Sequence, residues 1–376
     1  PNDDGADMGP NNGLLGVRGD IRIGGAFIDG VGGTLAQAGF VPSADITLDT
    51  SEILHFGNTA DDSLTLRNTL THEIGHSLGL AHNESFNTQI LMEPNFNPAY
   101  DGPQFDDILG VHFQYGDPQE RQSPGGNGTP ASATPLGTIA DGQSVTVGSD
   151  GRPAGLALDP LPTSATDFLS ISNLQDIDFF RFSIDQPSTV EVTLSPVGKI
   201  YSQSPTGLAP FTSVIGTQQN NLRVQLLEAD GVSLLGTAAS GGLGVAETLS
   251  EITLAEAGEY VILVAGSSNN TQLYELAVAV TATPPPVLAG DFNNDGVVDG
   301  ADYATWRNAL EGGNDLPNAP ASPGVVDIED LATWKANFGS PPPPAAASAV
   351  PEPGAAMVGA CATFFISLRV CRRALR

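Results

Sequence analysis

The sequence predicts a multidomain fold: an α+β first domain, an all-β sandwich, a small α module and a C-terminal apolar helix. Three observations predict it. Pro-rich stretches divide the chain at Asp117–Pro135, Thr281–Val287 and Ser340–Pro353. Between the first two, short runs alternate apolar and polar residues, as half-buried strands do. After the second, Gly296-Val-Val-Asp299-x-x-Asp302-x-Ala-Thr-Trp306 recurs 28 residues later as Gly324-Val-Val-Asp327-x-x-Asp330-x-Ala-Thr-Trp334, two copies of one loop–helix unit. The expected segments are 1–116, a linker 117–135, a sandwich 136–280, a linker 281–288, a small module 289–339, a Pro-rich linker 340–353 and a tail 354–376.

In the first domain, Asp20–Ile23 and Asp45–Leu48 alternate like strands. Leu64–Leu78 reads as the main helix, with Asp61, Asp62 and Ser63 as N-cap candidates and Gly79 as its stop. Phe105–Tyr115 reads as a second helix whose leading acids, Asp106 and Asp107, suit the N-terminal dipole. Val190–Leu194, Leu222–Leu227, Tyr260–Val264 and Leu273–Val280 read as sandwich strands.

The chain carries 43 acidic and 14 basic residues, for a net charge of −29. Such a body repels phosphate, which excludes nucleic acid as a partner and favours cations, calcium first. Both cysteines, Cys361 and Cys371, lie in the tail, so the body has no disulfide, cysteine zinc site or catalytic thiol. The chain starts at Pro1 with no signal-peptide pattern and reads as lacking its N-terminus.

Three of the five histidines fall in Thr71-His72-Glu73-Ile-Gly75-His76-Ser-Leu-Gly79-Leu-Ala-His82. His72 and His76 are four apart on the predicted helix, about 6 Å along its axis and on one face, which suits two ligands of one zinc. Gly79 tolerates the sharp turn that brings His82 back as a third ligand. Three neutral imidazoles leave one position open for water, which zinc acidifies to a pKa of about 7. Glu73, directly after the first ligand, is placed as general base. His55 reads as a wall residue and His112 as part of a solvated helix face.

This pattern, with Ile90-Leu-Met92-Glu-Pro94 downstream, resembles the metzincin metallopeptidases. By that resemblance Met92 forms an apolar floor under the zinc ligands. The flanks are similar to the matrixin branch: Gly19–Gly25 to its edge-strand segment, Phe27–Ala38 to its calcium loop and next strand, Asp45–Glu52 to its fifth strand, and Phe105–Gly116 to its closing helix. The resemblance implies a calcium site of Asp29, Asp49 and Glu52 with carbonyls of Gly30, Gly32 and Thr34, and a tether from Asp106 or Asp107 to the methionine turn. It departs from the branch at Gln37 and Thr47, where a second zinc would need histidines, at Asn83, where serine is usual, and before Gly13, where the first strand and helix have no counterpart.

Gln175–Phe182, Leu222–Gly231 and Ala257–Val264 resemble the pre-peptidase C-terminal sandwich of secreted bacterial peptidases. Asp291, Asn293, Asp295, the Val297 carbonyl, Asp299 and Asp302 occupy positions 1, 3, 5, 7, 9 and 12 of an EF-hand calcium loop. With the tryptophan repeat, this segment resembles a type I dockerin, which implies a cohesin-like partner. The second copy has Ala319, Ala321 and Pro323 where ligands would stand, so one calcium is expected. Val350-Pro-Glu-Pro353, an apolar run and Arg369, Arg372 and Arg373 resemble the PEP-CTERM sorting signal read by an exosortase. Together these imply a zinc endopeptidase acting on protein or peptide, secreted or at the surface of a Gram-negative bacterium and transiently membrane-anchored by its tail. The other reading is a non-catalytic calcium-dependent surface adhesion or scaffold protein that retains the zinc site.

Overall fold

The computed structural model describes residues 21–40, 44–85, 90–121, 126–149, 166–204, 210–283, 288–312, 316–319 and 324–340. The chain forms two compact units, divided after Thr283 within the Pro-rich stretch.

The first unit opens with β1 (Ile23–Ala26), β2 (Ala36–Ala38) and β3 (Ile46–Asp49), ordered β1-β3-β2. β3 pairs parallel to β1 and antiparallel to β2, which leaves β2 at an edge among the described residues. A short turn of helix, α1 (Ile53–Phe56), precedes α2 (Leu64–Ser77). No side chain caps α2 at Ser63, which sits at φ +63°. Its end follows the sequence more closely: Gly79 adopts φ +98°, a conformation costly for any residue with a Cβ. α3 (Phe105–Tyr115) begins with a capping box, in which the Gln104 side chain meets the N3 amide and Asp107 accepts from the Gln104 N–H.

The stretch 117–135, expected as a linker from its composition, is packed where it is described. α4 (Pro118–Arg121) follows Asp117, and both Asp117 and Asn127 are buried. Asp117 accepts from Ser170 N–H and the Asn127 carbonyl accepts from Phe179 N–H, so polar side chains and carbonyls do here what apolar periodicity does elsewhere.

The sandwich contains β4 (Thr134–Thr138), β5 (Ser144–Val147), β6 (Leu169–Ile171), β7 (Ile177–Ile184), β8 (Ser188–Val197), β9 (Ile200–Gln203), β10 (Thr212–Ile215), β11 (Leu222–Glu228), β12 (Leu234–Ala238), β13 (Glu247–Leu254), β14 (Gly258–Gly266) and β15 (Gln272–Ala282). One sheet runs β12-β11-β14-β7-β4; the other runs β13-β8-β15-β5, with β6 also on β15. Alternation in β8 and β11 points Val190, Val192, Leu194, Val224 and Leu226 inward, against Phe180, Phe182, Ile262 and Tyr274. β9 and β10 form a hairpin outside both sheets.

Beneath the sandwich core, Asp117, Glu120, Asp176 and Asp178 gather, and Asp178 receives the Tyr274 hydroxyl at 2.5 Å. Burial, then repulsion from neighbouring carboxyls, pushes Asp117 up to about 6, Glu120 to about 7 and Asp178 well above its ordinary range, while Asp176 is raised by burial. Raised carboxyl pKa values mean that the folded chain holds protons the unfolded chain has released. Stability from this cluster is therefore complete below about pH 4 and declines as pH rises to 7. The thermal midpoint of the first unit is expected to fall between pH 5 and 7.5, and Asp178→Asn to flatten that slope in melts across the range.

In the second unit, α5 (Gly300–Gly312) and α6 (Ile328–Asn337) are related as the repeat requires. Trp306 Nε1–H donates to the Asp327 carbonyl at 2.8 Å and Trp334 Nε1–H to the Asp299 carbonyl at 2.7 Å, so each helix is tied to the loop of the other copy. Asp302 and Asp330 accept from the N–H of Asp299 and Asp327 at matching places. Trp334→Phe removes one of the two ties and is expected to lower the stability of this unit by about 1 kcal/mol in denaturant unfolding. No helix among the described residues is long and apolar enough to cross a membrane. Residues 341–376, which hold all but the first residue of the expected Pro-rich linker 340–353 and the whole of the expected sorting tail 354–376, lie outside the described residues.

Candidate active site

α2 carries His72 and His76 one turn apart, and the turn at Gly79 returns the chain so that His82 faces both. The Nε2 atoms of His72 and His82 stand 3.2 Å apart, and those of His76 and His82 3.0 Å apart. His72 Nδ1–H donates to the Leu91 carbonyl and His76 Nδ1–H to the Leu80 carbonyl, each at 2.8 Å. With the proton placed on Nδ1, each Nε2 turns a lone pair inward. Burial, and then the neighbouring imidazoles, push His72 down to about 4, which keeps its ring neutral. The Nε2 lone pairs of His72 and His76 face His82 Nε2, and three ring nitrogens so close fit a cation. Among the described residues, these three are the His, Cys, Asp and Glu side chains whose ligand atoms converge as a metal site requires.

Glu73 is buried on the same helix, and its Oε2 has no hydrogen-bond partner. Burial pushes its carboxyl up to about 7. It opens on a cleft of about 700 Å³ bordered by Gly32–Ala38, His55, the three histidines and Pro94–Asn97. His55 is a wall residue of that cleft, edge-on to Phe56 and Phe96. His112 differs from its expected solvated position: it is buried, and its Nδ1 meets the Ser170 hydroxyl at 2.9 Å. The sandwich covers the helix face that would otherwise meet solvent.

Met92 packs against α2 at Gly75, between His72 and His76 in the sequence. A Cβ built on Gly75 would stand 2.3 Å from Met92 Sδ, so only glycine at the position before His76 admits the thioether so close to the helix. Leu91 and Met92 donate their N–H groups to Asp107, at 2.8 and 3.0 Å, which makes Asp107 the tether of this turn. Two contributors were not visible in the sequence. Tyr100 donates its hydroxyl to the Ile90 carbonyl at 2.5 Å, and Asn68 accepts from Gly102 N–H and donates to the Tyr100 carbonyl. Neither sits in a motif; each acts on backbone that only the fold brings near.

Asp29, Asp49 and Glu52 each bind backbone of the loop beside β3, but their oxygens do not converge as the histidine nitrogens do. Asp49 accepts from the N–H of Asp29 and Gly30, Glu52 from Gly32 N–H, and Asp29 from Thr34 N–H and hydroxyl. Burial raises Asp49, but the Ser51 hydroxyl and these amides outweigh it and hold the carboxyl below its ordinary range. In the second unit, Asp291 accepts from the N–H of Asp295 and Gly296, Asn293 from Asp295, Asp295 from Val297, Asp299 from Ala301 and Asp302 from Asn293, so the loop is held by its own amides, and its carboxylates do not converge as those of a metal site do.

Residues 19–116 match the family model of the matrixin peptidases. The chain is 40% identical over 99 residues to matrix metalloproteinase-25 of Mus musculus, a match covering 23% of this chain and 15% of that protein. It is 39% identical over 120 residues to interstitial collagenase of Bos taurus, covering 30% and 24%. The chain thus spans a quarter or less of the length of these relatives. Among solved structures, the pre-peptidase C-terminal domain of a Bacillus anthracis collagenase aligns over 39% of this chain and 95% of its own, at 11% identity and a TM-score of 0.21. A carbohydrate-binding module, CBM36 in complex with calcium and xylotriose, aligns over 36% and 99%, at 14% identity and a TM-score of 0.21.

Proposed function

We propose that this protein is a zinc-dependent endopeptidase, secreted or displayed at the cell surface. The observation that carries the reading is the convergence of three Nε2 atoms beside a buried, unpaired carboxylate oxygen of Glu73 in one open cleft. His72, His76 and His82 would hold zinc, which would supply a Lewis acid that polarises a peptide carbonyl and acidifies a water. The chain's own part follows from its geometry. β2 presents an edge beside the cleft, on which an extended peptide can pair through its backbone. Glu73 Oε2, unpaired and poised near neutrality, takes the proton from the attacking water and returns it to the leaving amine. The matrixin match supports a protein or peptide as substrate.

Calcium belongs to the same proposal. Asp29, Asp49 and Glu52 would form one site and the loop from Asp291 to Asp302 another, since both carry carboxylates and carbonyls, the hard oxygens calcium takes, on tight turns.

The test is cleavage of casein by the full chain, with and without a zinc chelator, beside a metal count. Chelator-sensitive cleavage with one zinc per chain is expected. One zinc without cleavage of any protein substrate would favour the adhesion reading instead.

A further inference from the structure

The β9–β10 hairpin leaves the sandwich and meets the first domain beside the histidine turn, at Asn83, Glu84 and Asp106. Tyr201 is buried, and its hydroxyl donates to Asp106 Oδ1 at 2.6 Å. The other Asp106 oxygen accepts from Asn83 Nδ2 at 2.7 Å, and the same nitrogen donates to Gln203 Oε1 at 3.0 Å. Two acceptors on one nitrogen fix the orientation of the Asn83 amide. Asn83 follows His82 directly, and its N–H donates to the Met92 carbonyl at 3.1 Å. One residue on, Glu84 and Ser204 exchange two backbone hydrogen bonds, of 3.1 and 2.8 Å, which adds the hairpin to the chain leaving the histidine turn. Tyr201 and Val214 pack against Ile90, Met92 and Leu80.

We propose that this hairpin is a working part of the peptidase site, with Tyr201 as a positioning residue that fixes the first turn of α3 and the methionine turn beside the three histidines. The chain of contacts is short. Tyr201 holds Asp106; the next residue, Asp107, holds the amides of Leu91 and Met92; the Leu91 carbonyl accepts from His72 Nδ1–H. On the other side, Gln203 holds Asn83 and so the backbone after His82. The asparagine that departs from the usual matrixin serine thereby acquires a partner that belongs to this chain's own sandwich. Burial and the Asp106 charge push the Tyr201 phenol up, so it stays a neutral donor at any working pH. The hairpin therefore acts as a fixed brace rather than a titrating switch. A sandwich that merely trailed the catalytic domain would have no reason to place a buried phenol on Asp106.

The proposal rests on the peptidase reading for its kinetic consequence but not for its structural one, and the experiment separates them. Full-length parent, Tyr201→Phe and Val214→Asp are compared by kcat and KM on a peptide substrate and by hydrogen exchange at Ile90–Glu93 and in β7 and β14. Tyr201→Phe is expected to lower kcat about 3- to 10-fold with KM within about twofold, and to speed exchange at Leu91 and Met92 about 5- to 10-fold, while β7 and β14 keep their protection. Val214→Asp is expected to act in the same direction. Exchange at the methionine turn that stays within about twofold of parent in Tyr201→Phe overturns the proposal. In an active parent, faster exchange with unchanged kcat overturns it as well, reducing the hairpin to a contact surface. If the parent binds no zinc and cleaves nothing, the peptidase reading fails, and the exchange comparison alone decides whether the hairpin braces the turn.

Discussion

Glu73→Gln is expected to reduce peptide hydrolysis by about 10²–10⁴-fold, with KM changed little and one zinc still bound. The substitution keeps the shape of the side chain and removes only its capacity to take a proton. Glu73 is buried, its Oε2 has no partner, and burial alone pushes the carboxyl up to about 7. No structural hydrogen bond is therefore lost in the variant, and none of the three histidines depends on Glu73 for its orientation: His72 and His76 are held by backbone carbonyls instead. That separation makes the variant informative. Loss of hydrolysis with retained zinc assigns the base; loss of both assigns Glu73 a structural role; retained hydrolysis sinks the mechanism. Steady-state rates with matched zinc counts distinguish the three.

The convergence of the three histidines was legible because its geometry is local. His72, His76 and His82 fall within eleven residues, and the helix period with one glycine turn is enough to bring them together. The internal repeat was legible for the same reason, and the reciprocal tryptophan bonds follow from copies that pair with each other. What the sequence withheld is nonlocal. Tyr201 reaches Asp106 across 95 positions, and Gln203 reaches Asn83 across 120. No periodicity or spacing encodes such a contact. His112 shows the same limit: a histidine on a predicted surface helix is buried once β6 and the start of the sandwich are laid over it. The described part of 117–135 is ordered by polar bonds, such as Asp117 to Ser170 N–H, and composition registers apolar order best.

The second large effect is expected at Asp107. Its carboxylate accepts three backbone N–H groups, from Leu91, Met92 and Gln104, at 2.8, 3.0 and 2.7 Å, in a fully buried position. Asp107→Ala leaves those donors without partners, and each unsatisfied buried donor costs about 1–3 kcal/mol. A loss of about 3 kcal/mol or more is expected in denaturant unfolding. Asp107→Asn should recover part of it, because one oxygen remains to accept, while its amide nitrogen opposes the donor it replaces an acceptor for. The effect should not stop at stability. Leu91 supplies the carbonyl that orients His72, so a loosened turn frees the ring to rotate, and losing such an outer partner typically costs about 10–100-fold in metal affinity. Both variants should therefore release zinc to a chelator faster than the parent, in the order Ala before Asn. A destabilised Asp107→Ala that keeps parental zinc affinity would show that the turn beside the histidines is shaped by Met92 packing on Gly75 rather than by its tether.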